Sequence, residues 1–328
     1  MSELSRILGA IEEHRAKGEP MALATIVATT GSTYRHAGAR LLIPEQGEPI
    51  GNISGGCLED DVARIGHEVI RTGVPRLASF DLTADEDAVW GYGLGCNGSF
   101  EVFVEPTDGA LATAEALRHD SGMLETVITG PDAGTHRFGT ATPGFDTPRV
   151  TESDGARVLE EPILAPTRLI LCGAGHDAIP LVRQATELGW RVTVADVRRA
   201  LLNGERFPGA ADFCDADPER AAAALQPDTR TAVVLMSHNY LRDIAYLGSF
   251  LSADVAYLGV LGPRGRTEQM LGELGHQDAL GRLHAPAGLD IGAEGPEEVA
   301  RAIVAEILAV LRGRGGGSLR DRPGPIHG

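Results

Sequence analysis

Lysine is nearly absent. Lys17 is the only one in 328 residues, and arginine carries the rest of the positive charge. A Walker-type phosphate lysine is thereby excluded. A Schiff-base lysine would have to be Lys17, which sits on a polar face near the N-terminus. Positive charge is scarce overall, with a net charge of −17. Such a chain repels a phosphate backbone, so no nucleic-acid partner is expected, and its acidity serves solubility. Cysteine is sparse too: Cys57, Cys96, Cys172 and Cys214 are widely spaced and form no C-x-x-C pair. That spacing excludes a disulfide framework and a zinc ribbon. No apolar run reaches the roughly 18 residues that span a bilayer. The N-terminus lacks a basic segment followed by an apolar one. The expectation is a cytoplasmic protein with no membrane partner.

What is abundant is glycine, 42 residues, with 19 prolines and a hydrophobic fraction of 43%. This is a globular composition rich in turns. The length suggests two domains. The pattern predicts an N-terminal α/β domain over residues 1–161, a Rossmann-like doubly wound parallel-sheet domain over 162–313, and a mobile tail over 314–328. Apolar spacing predicts helices over 3–16 and 58–71, and strands over 21–29, 39–43 and 100–104. Residues 107–167 are less regular, with strands expected at 124–129 and 156–159 and a linker flanked by Pro162 and Pro166. From Arg168 strands alternate with helices: strands at 169–172, 191–195, 211–214, 231–237 and 255–260, a helix over 176–188, and a last helix from Gly295 to about Arg312.

The first of those strands runs into Gly173-Ala174-Gly175-His176-Asp177-Ala178, a G-x-G-x-x-A match between strand and helix. Gly173 and Gly175 allow a tight turn and close approach of a pyrophosphate, and Ala178 lets the helix pack close. A phosphate would meet the free N–H groups near His176. Asp196 follows Gly173 by 23 positions, at the end of the next strand, where an acid can hold a ribose hydroxyl. Arg198, Arg199, Arg264 and Arg266 are candidate phosphate ligands. Arg264 and Arg266 follow a strand in the Gly262-Pro263-Arg264-Gly265-Arg266 turn, on the carboxyl edge where ligands bind.

Two further cysteines sit in glycine cradles. Gly55-Gly56-Cys57-Leu58-Glu59 puts a thiol at a helix start, where thiolate, the nucleophilic and metal-binding form, is stabilised. Gly93-Leu94-Gly95-Cys96-Asn97-Gly98 puts a second one in a flexible loop. The alternative for each is a small buried thiol. Cys172 and Cys214 lie in strands and are expected in the core.

Together these segments resemble the XdhC/CoxI family, accessory proteins in the maturation of xanthine dehydrogenase and related molybdenum hydroxylases. The resemblance runs through Gly31-Ser32-Thr33-Tyr34-Arg35, the Cys57 and Cys96 loops, Gly173-Ala174-Gly175-His176, Asp196-Val197-Arg198, Arg206-Phe207-Pro208, Met236-Ser237-His238 with Asp243, and Pro286 to Ala293. Tyr34 stands where the family usually has proline, and Asn97 where a glycine is usual. The resemblance implies a carrier of molybdenum cofactor (molybdopterin, in mononucleotide or dinucleotide form). Such a carrier holds the cofactor while its terminal sulfur is installed and passes it to an apo-hydroxylase. The implied partners are a cysteine desulfurase and the hydroxylase's molybdenum-binding large subunit; separately, the expected assembly is a homodimer. It would be a cofactor-insertion chaperone rather than a turnover enzyme. In this reading Cys57, with Cys96, approaches the metal, since soft sulfur suits a metal–sulfur centre, and Glu59 orients the cofactor or exchanges a proton. Gly55, Gly56, Gly173, Gly175, His176, Asp196, Arg198, His238, Gly262 and Arg264 would line the cofactor. The alternative is an NAD(P)-dependent oxidoreductase in which Asp196 holds the ribose and His238 is the acid or base. A third reading is a protein–protein adaptor with a vestigial pocket.

Overall fold

The computed structural model describes residues 2–31, 33–56, 58–81, 98–141 and 144–322. Two compact units divide the chain, Glu3–Ala165 and Pro166–Gly328, the second including Met1–Ser2.

The first unit contains α1 (Glu3–Lys17), β1 (Met21–Gly31), β2 (Arg40–Pro44), β3 (Ile50–Gly51), α2 (Glu59–Thr72), β4 (Arg76–Asp81), β5 (Gly98–Pro106), α3 (Thr107–Ala116), β6 (Ser121–Val127), β7 (His136–Gly139), β8 (Arg149–Ser153) and β9 (Ala156–Leu164). One antiparallel sheet has the order β3-β2-β1-β5-β4, a second β7-β6-β9-β8. Strand β1 is buried without a break from Met21 to Val27 because both faces of its sheet are covered. Ala22, Ala24 and Ile26 pack with Val62 and Val69 of α2. Met21 and Leu23 pack with Ile7 and Ile11 of α1 and Ala110 and Ala114 of α3. Helix α1 ends in Lys17, whose ammonium donates to Glu13 at 2.6 Å. The two sheets meet through Val27, Phe103, Ile128 and Leu159. They are also joined by a buried ion pair between Arg40 on β2 and Glu161 on β9, and by Arg157 on β9 with Glu101 on β5.

Several details differ from the sequence reading. Pro162, expected to open a linker, is paired with Met123 inside β9, and the change of unit falls at Ala165–Pro166. Helix α3 was not expected, because its buried face is made of small residues: Gly109, Ala110, Thr113, Ala114 and Ala116. Strands β4, β7 and β8 were also missed. They are largely exposed or half-buried and carry little apolar alternation.

The second unit contains β10 (Arg168–Cys172), α4 (Ala178–Glu187), β11 (Arg191–Ala195), β12 (Asp212–Cys214), α5 (Ala221–Leu225), β13 (Thr231–Leu235), α6 (Tyr240–Phe250), β14 (Tyr257–Val260), α7 (Arg264–Leu274) and α8 (Pro296–Leu311). Its sheet is parallel, in the order β12-β11-β10-β13-β14. Leu169, Leu171, Val192 and Val234 face α4 and α8. Ile170, Val233, Leu235 and Val260 face α6 and α7. This is the doubly wound Rossmann arrangement, whose strand order reverses between β10 and β13. Residues 284–287 extend the sheet beside β14 through His284 N–H to Leu258 O and Ala287 N–H to Val260 O, each 3.0 Å. Glu306 of α8 fixes that segment, accepting from Tyr257 Oη at 2.6 Å and from Gly288 N–H at 2.7 Å. The start of the expected mobile tail is packed: a Cβ on Gly316 would fall 2.6 Å from Leu289. Among the described residues no helix is long and apolar enough to cross a membrane.

Candidate functional site

The carboxyl ends of β10 and β13 bring the chemistry of the second unit together. Gly173 has φ +133°, and a Cβ there would lie 2.5 Å from the Met236 carbonyl oxygen. Only glycine lets the turn after β10 approach the turn after β13 so closely. Over Gly175 lies the ring of His238, 3.5 Å from where a Cβ would stand. His238 takes a left-handed backbone, φ 56°, and its Nε2 is 2.9 Å from Asp177 Oδ2. No side chain caps the start of α4. His176, expected to contact phosphate, is exposed at this turn.

Buried Asp243 holds the turn that carries His238. Its Oδ1 accepts from Ser237 Oγ at 2.5 Å and from Ser237 N–H at 3.1 Å. Its Oδ2 accepts from Arg266 Nη2 at 2.7 Å, and that guanidinium lies over the Tyr240 ring. Asn239 then caps α6, accepting from Arg242 N–H at 3.0 Å. The strand expected to reach Ser237 therefore stops at Leu235. Arg266 is a structural partner of Asp243, while Arg264 pairs with Glu268 on the surface of α7. Gly262, at φ +121°, makes the turn between β14 and that helix. Arg199 pairs with Asp215 at the surface.

Asp196 is 2% exposed, and its carboxylate is fully engaged. Oδ1 accepts from Arg198 N–H at 2.8 Å and Arg198 Nε at 2.9 Å. Oδ2 accepts from Ala174 N–H at 2.8 Å and Arg198 Nη2 at 2.7 Å. Burial opposes its charge, but these donors outweigh that effect and hold the carboxyl below its usual range. The ribose-holding role expected of Asp196 has no open acceptor in this arrangement. Arg206 also reaches the glycine turn, its Nε donating to Ala174 O at 3.3 Å. Sequence reasoning placed Arg206 only within a family segment. The signal for its position is Phe207, which is buried at 1% exposure, with Asn203 Oδ1 accepting from Arg206 N–H at 2.8 Å.

In the first unit the loop before α2 closes around Glu59. Its Oε1 accepts from the N–H groups of Ile53 at 3.1 Å and Ser54 at 2.9 Å. Its Oε2 accepts from Gly56 N–H at 3.0 Å, Leu58 N–H at 3.3 Å and Ser54 Oγ. Burial works against the charge, but the Ser54 and backbone donors prevail, so the carboxyl stays below its usual range. A carboxylate held this way stays ionised at neutral pH, and its donors shape the loop. Gly55 and Gly56 both have positive φ, 79° and 103°, and Gly55 lies against the Tyr34 ring. Cys57 and Cys96 lie outside the described residues, as does most of the Gly91–Gly98 loop. Cys172 is buried, and burial pushes its thiol well above the usual range, so it is inert. Cys214 is half-buried. Among the described residues no group of His, Cys, Asp and Glu is arranged to hold a metal.

Comparison with known proteins covers both units. Residues 14–81 match the profile of the XdhC and CoxI family, and residues 169–307 match that of the XdhC Rossmann domain. A Bacillus subtilis (strain 168) protein, named as a probable xanthine dehydrogenase subunit, is 33% identical, over 88% of this chain and 93% of its own length. The Escherichia coli (strain K12) molybdenum cofactor insertion chaperone PaoD is 25% identical, over 89% of this chain and 84% of its own. A solved Bacillus halodurans structure, described as a xanthine dehydrogenase, superposes with a TM-score of 0.77 at 27% identity, covering 98% of each chain.

Proposed function

Because the chain belongs to the XdhC and CoxI family, we propose that it handles molybdenum cofactor as cargo for a molybdenum hydroxylase of the xanthine dehydrogenase type. It holds the cofactor while a cysteine desulfurase supplies the terminal sulfur, then delivers it to the apo-enzyme. The observation that carries this reading is the glycine turn at the end of β10. It combines an uncapped helix start with arginines on Ala174 and Asp196, a fit for the phosphate end of an anionic pterin. The cargo brings the metal–sulfur chemistry. The chain's residues bind and orient it.

The roles divide by residue. Gly173 and Gly175 leave room for a phosphate, and Arg198 and Arg206 offer it guanidinium hydrogens. His238 borders the same turn. Glu59 fixes the loop in which Cys57 stands, and Cys57 with Cys96 are the candidates for the soft metal–sulfur end. The relatives' names support the cofactor reading: PaoD is called a cofactor insertion chaperone and the Bacillus subtilis relative a xanthine dehydrogenase subunit.

The test loads wild type and Cys57→Ala with cofactor and follows pterin fluorescence, molybdenum content and reconstitution of apo-hydroxylase. Wild type retains pterin and molybdenum and activates the apo-enzyme, whereas Cys57→Ala transfers poorly. Unchanged binding and transfer by the variant would remove the cysteine from the mechanism. Absence of pterin binding by wild type would remove the carrier reading itself.

A further inference from the structure

In Rossmann domains that bind NAD, the acid ending the second strand accepts hydrogen bonds from the vicinal hydroxyls of the adenosine ribose. Asp196 stands at that position but cannot do so as the protein is built. A carboxylate offers about four lone-pair directions. Here four donors use them: Arg198 N–H and Nε on one oxygen, Ala174 N–H and Arg198 Nη2 on the other. The group is buried, so water does not offer a further arrangement.

What this wall presents to a ligand is the far edge of Arg198, whose side chain is 41% exposed. Its Nη1 amino group and one Nη2 hydrogen are not engaged by Asp196. Arg206 meets the same turn from the other side of one residue. Asp196 links Arg198 to the Ala174 N–H, while Arg206 Nε donates to the Ala174 carbonyl at 3.3 Å. Among the described residues neither amino group of Arg206 has a hydrogen-bond partner. Its placement is built: Asn203 turns the backbone, and Phe207 anchors the chain and lies beneath the guanidinium, 5.5 Å from the ring centre.

We infer that Arg198 and Arg206 form a phosphate-reading pair on the Gly173–Gly175 turn, and that Arg198, by occupying Asp196, removes recognition of a ribose diol there. The ligand class is a phosphate monoester or diphosphate held by its charge, with no discrimination for a vicinal diol. This rests on the carrier reading above and sharpens it: the second unit selects the phosphate end of its cargo and gains nothing from the ribose diol of an NAD-type dinucleotide.

Calorimetric titration of the full chain tests this with three probes that contain no molybdenum: inorganic pyrophosphate, ADP and 2′,3′-dideoxy-ADP. Wild type binds pyrophosphate, weakening with salt, and binds the two nucleotides equally. Arg198→Ala and Arg206→Ala each weaken pyrophosphate about tenfold, on the order expected for one charged hydrogen-bonding partner. Arg198→Ala also frees Asp196 and prefers ADP over its dideoxy form by about tenfold. Arg206→Ala gains no such preference. Should Arg198→Ala not fold, Arg198→Lys serves, since an ammonium cannot cover both carboxylate oxygens. A diol preference in wild type, or pyrophosphate binding indifferent to both arginines, overturns the inference. Neither result touches the pterin assay, so failure here and failure of the carrier reading are separable.

Discussion

At the residue scale, single groups are held by many partners, and the partners decide what each can do. Glu59 gathers backbone N–H groups from Ile53 to Leu58. Its carboxyl is held below the usual range, so its stabilisation is present above the ordinary carboxylate pKa of about 4.3 and is lost as pH falls through the lowered value. Glu59→Gln is expected to lose about 1–3 kcal/mol at pH 7. In urea unfolding the gap to wild type should narrow as pH drops below about 4. A gap that ignored pH would assign the loss to packing. Gly173 is constrained by contact rather than by charge. Gly173→Ala puts a Cβ against the Met236 backbone at positive φ, so a loss of at least about 2 kcal/mol is expected in thermal unfolding. An unchanged midpoint would mean the two turns can separate at little cost. The sequence showed Gly173 through its motif, because spacing alone encodes it. It did not show that Asp196 is saturated, since the motif says where an acid stands and not which donors reach it. Arg206 was hidden for a similar reason: its contact to Ala174 spans 32 positions.

At the element scale, the buried pair Arg40–Glu161 joins β2 to β9 across 121 positions. Arg40 is 5% exposed, and its Nη1 also donates to Gly38 O at 2.8 Å. Removing one charge leaves the other buried without a partner, so Arg40→Met should cost about 3–5 kcal/mol. Arg40→Met with Glu161→Leu should recover most of that, because neither charge then remains. Chemical unfolding of the single and double variants measures both. A double variant as weak as the single one would locate the loss in packing around Arg40. Elements with a long apolar face, such as α2 and β1, were legible from their periodicity. Helix α3 was not, because alanine, glycine and threonine bury its face without an apolar stripe. Its start does carry one signal, Asp108 in the first turn.

At the scale of the whole molecule, the cores of the two units share no residue. Two calorimetric transitions are expected, with Arg40→Met lowering one and Gly173→Ala the other. A single transition moved by both substitutions would show that the units unfold together. The change of architecture between the halves was legible because antiparallel strands with irregular spacing give way to alternating strand and helix. The join at Ala165–Pro166 was less so, since Pro162 looks like a linker residue and is tolerated in β9.

Lys17 gives the molecule a chemical handle. It is the only side-chain amine in the sequence, it ends α1 in the first unit, and it is half exposed. An amine-directed dye therefore marks one defined side-chain position, and its signal reports on that unit. Glu13 keeps the ammonium protonated to higher pH than a solitary lysine. Coupling should thus be slow at neutral pH and faster in Glu13→Gln, which makes the labelling rate itself a gauge of whether the last turn of α1 is formed.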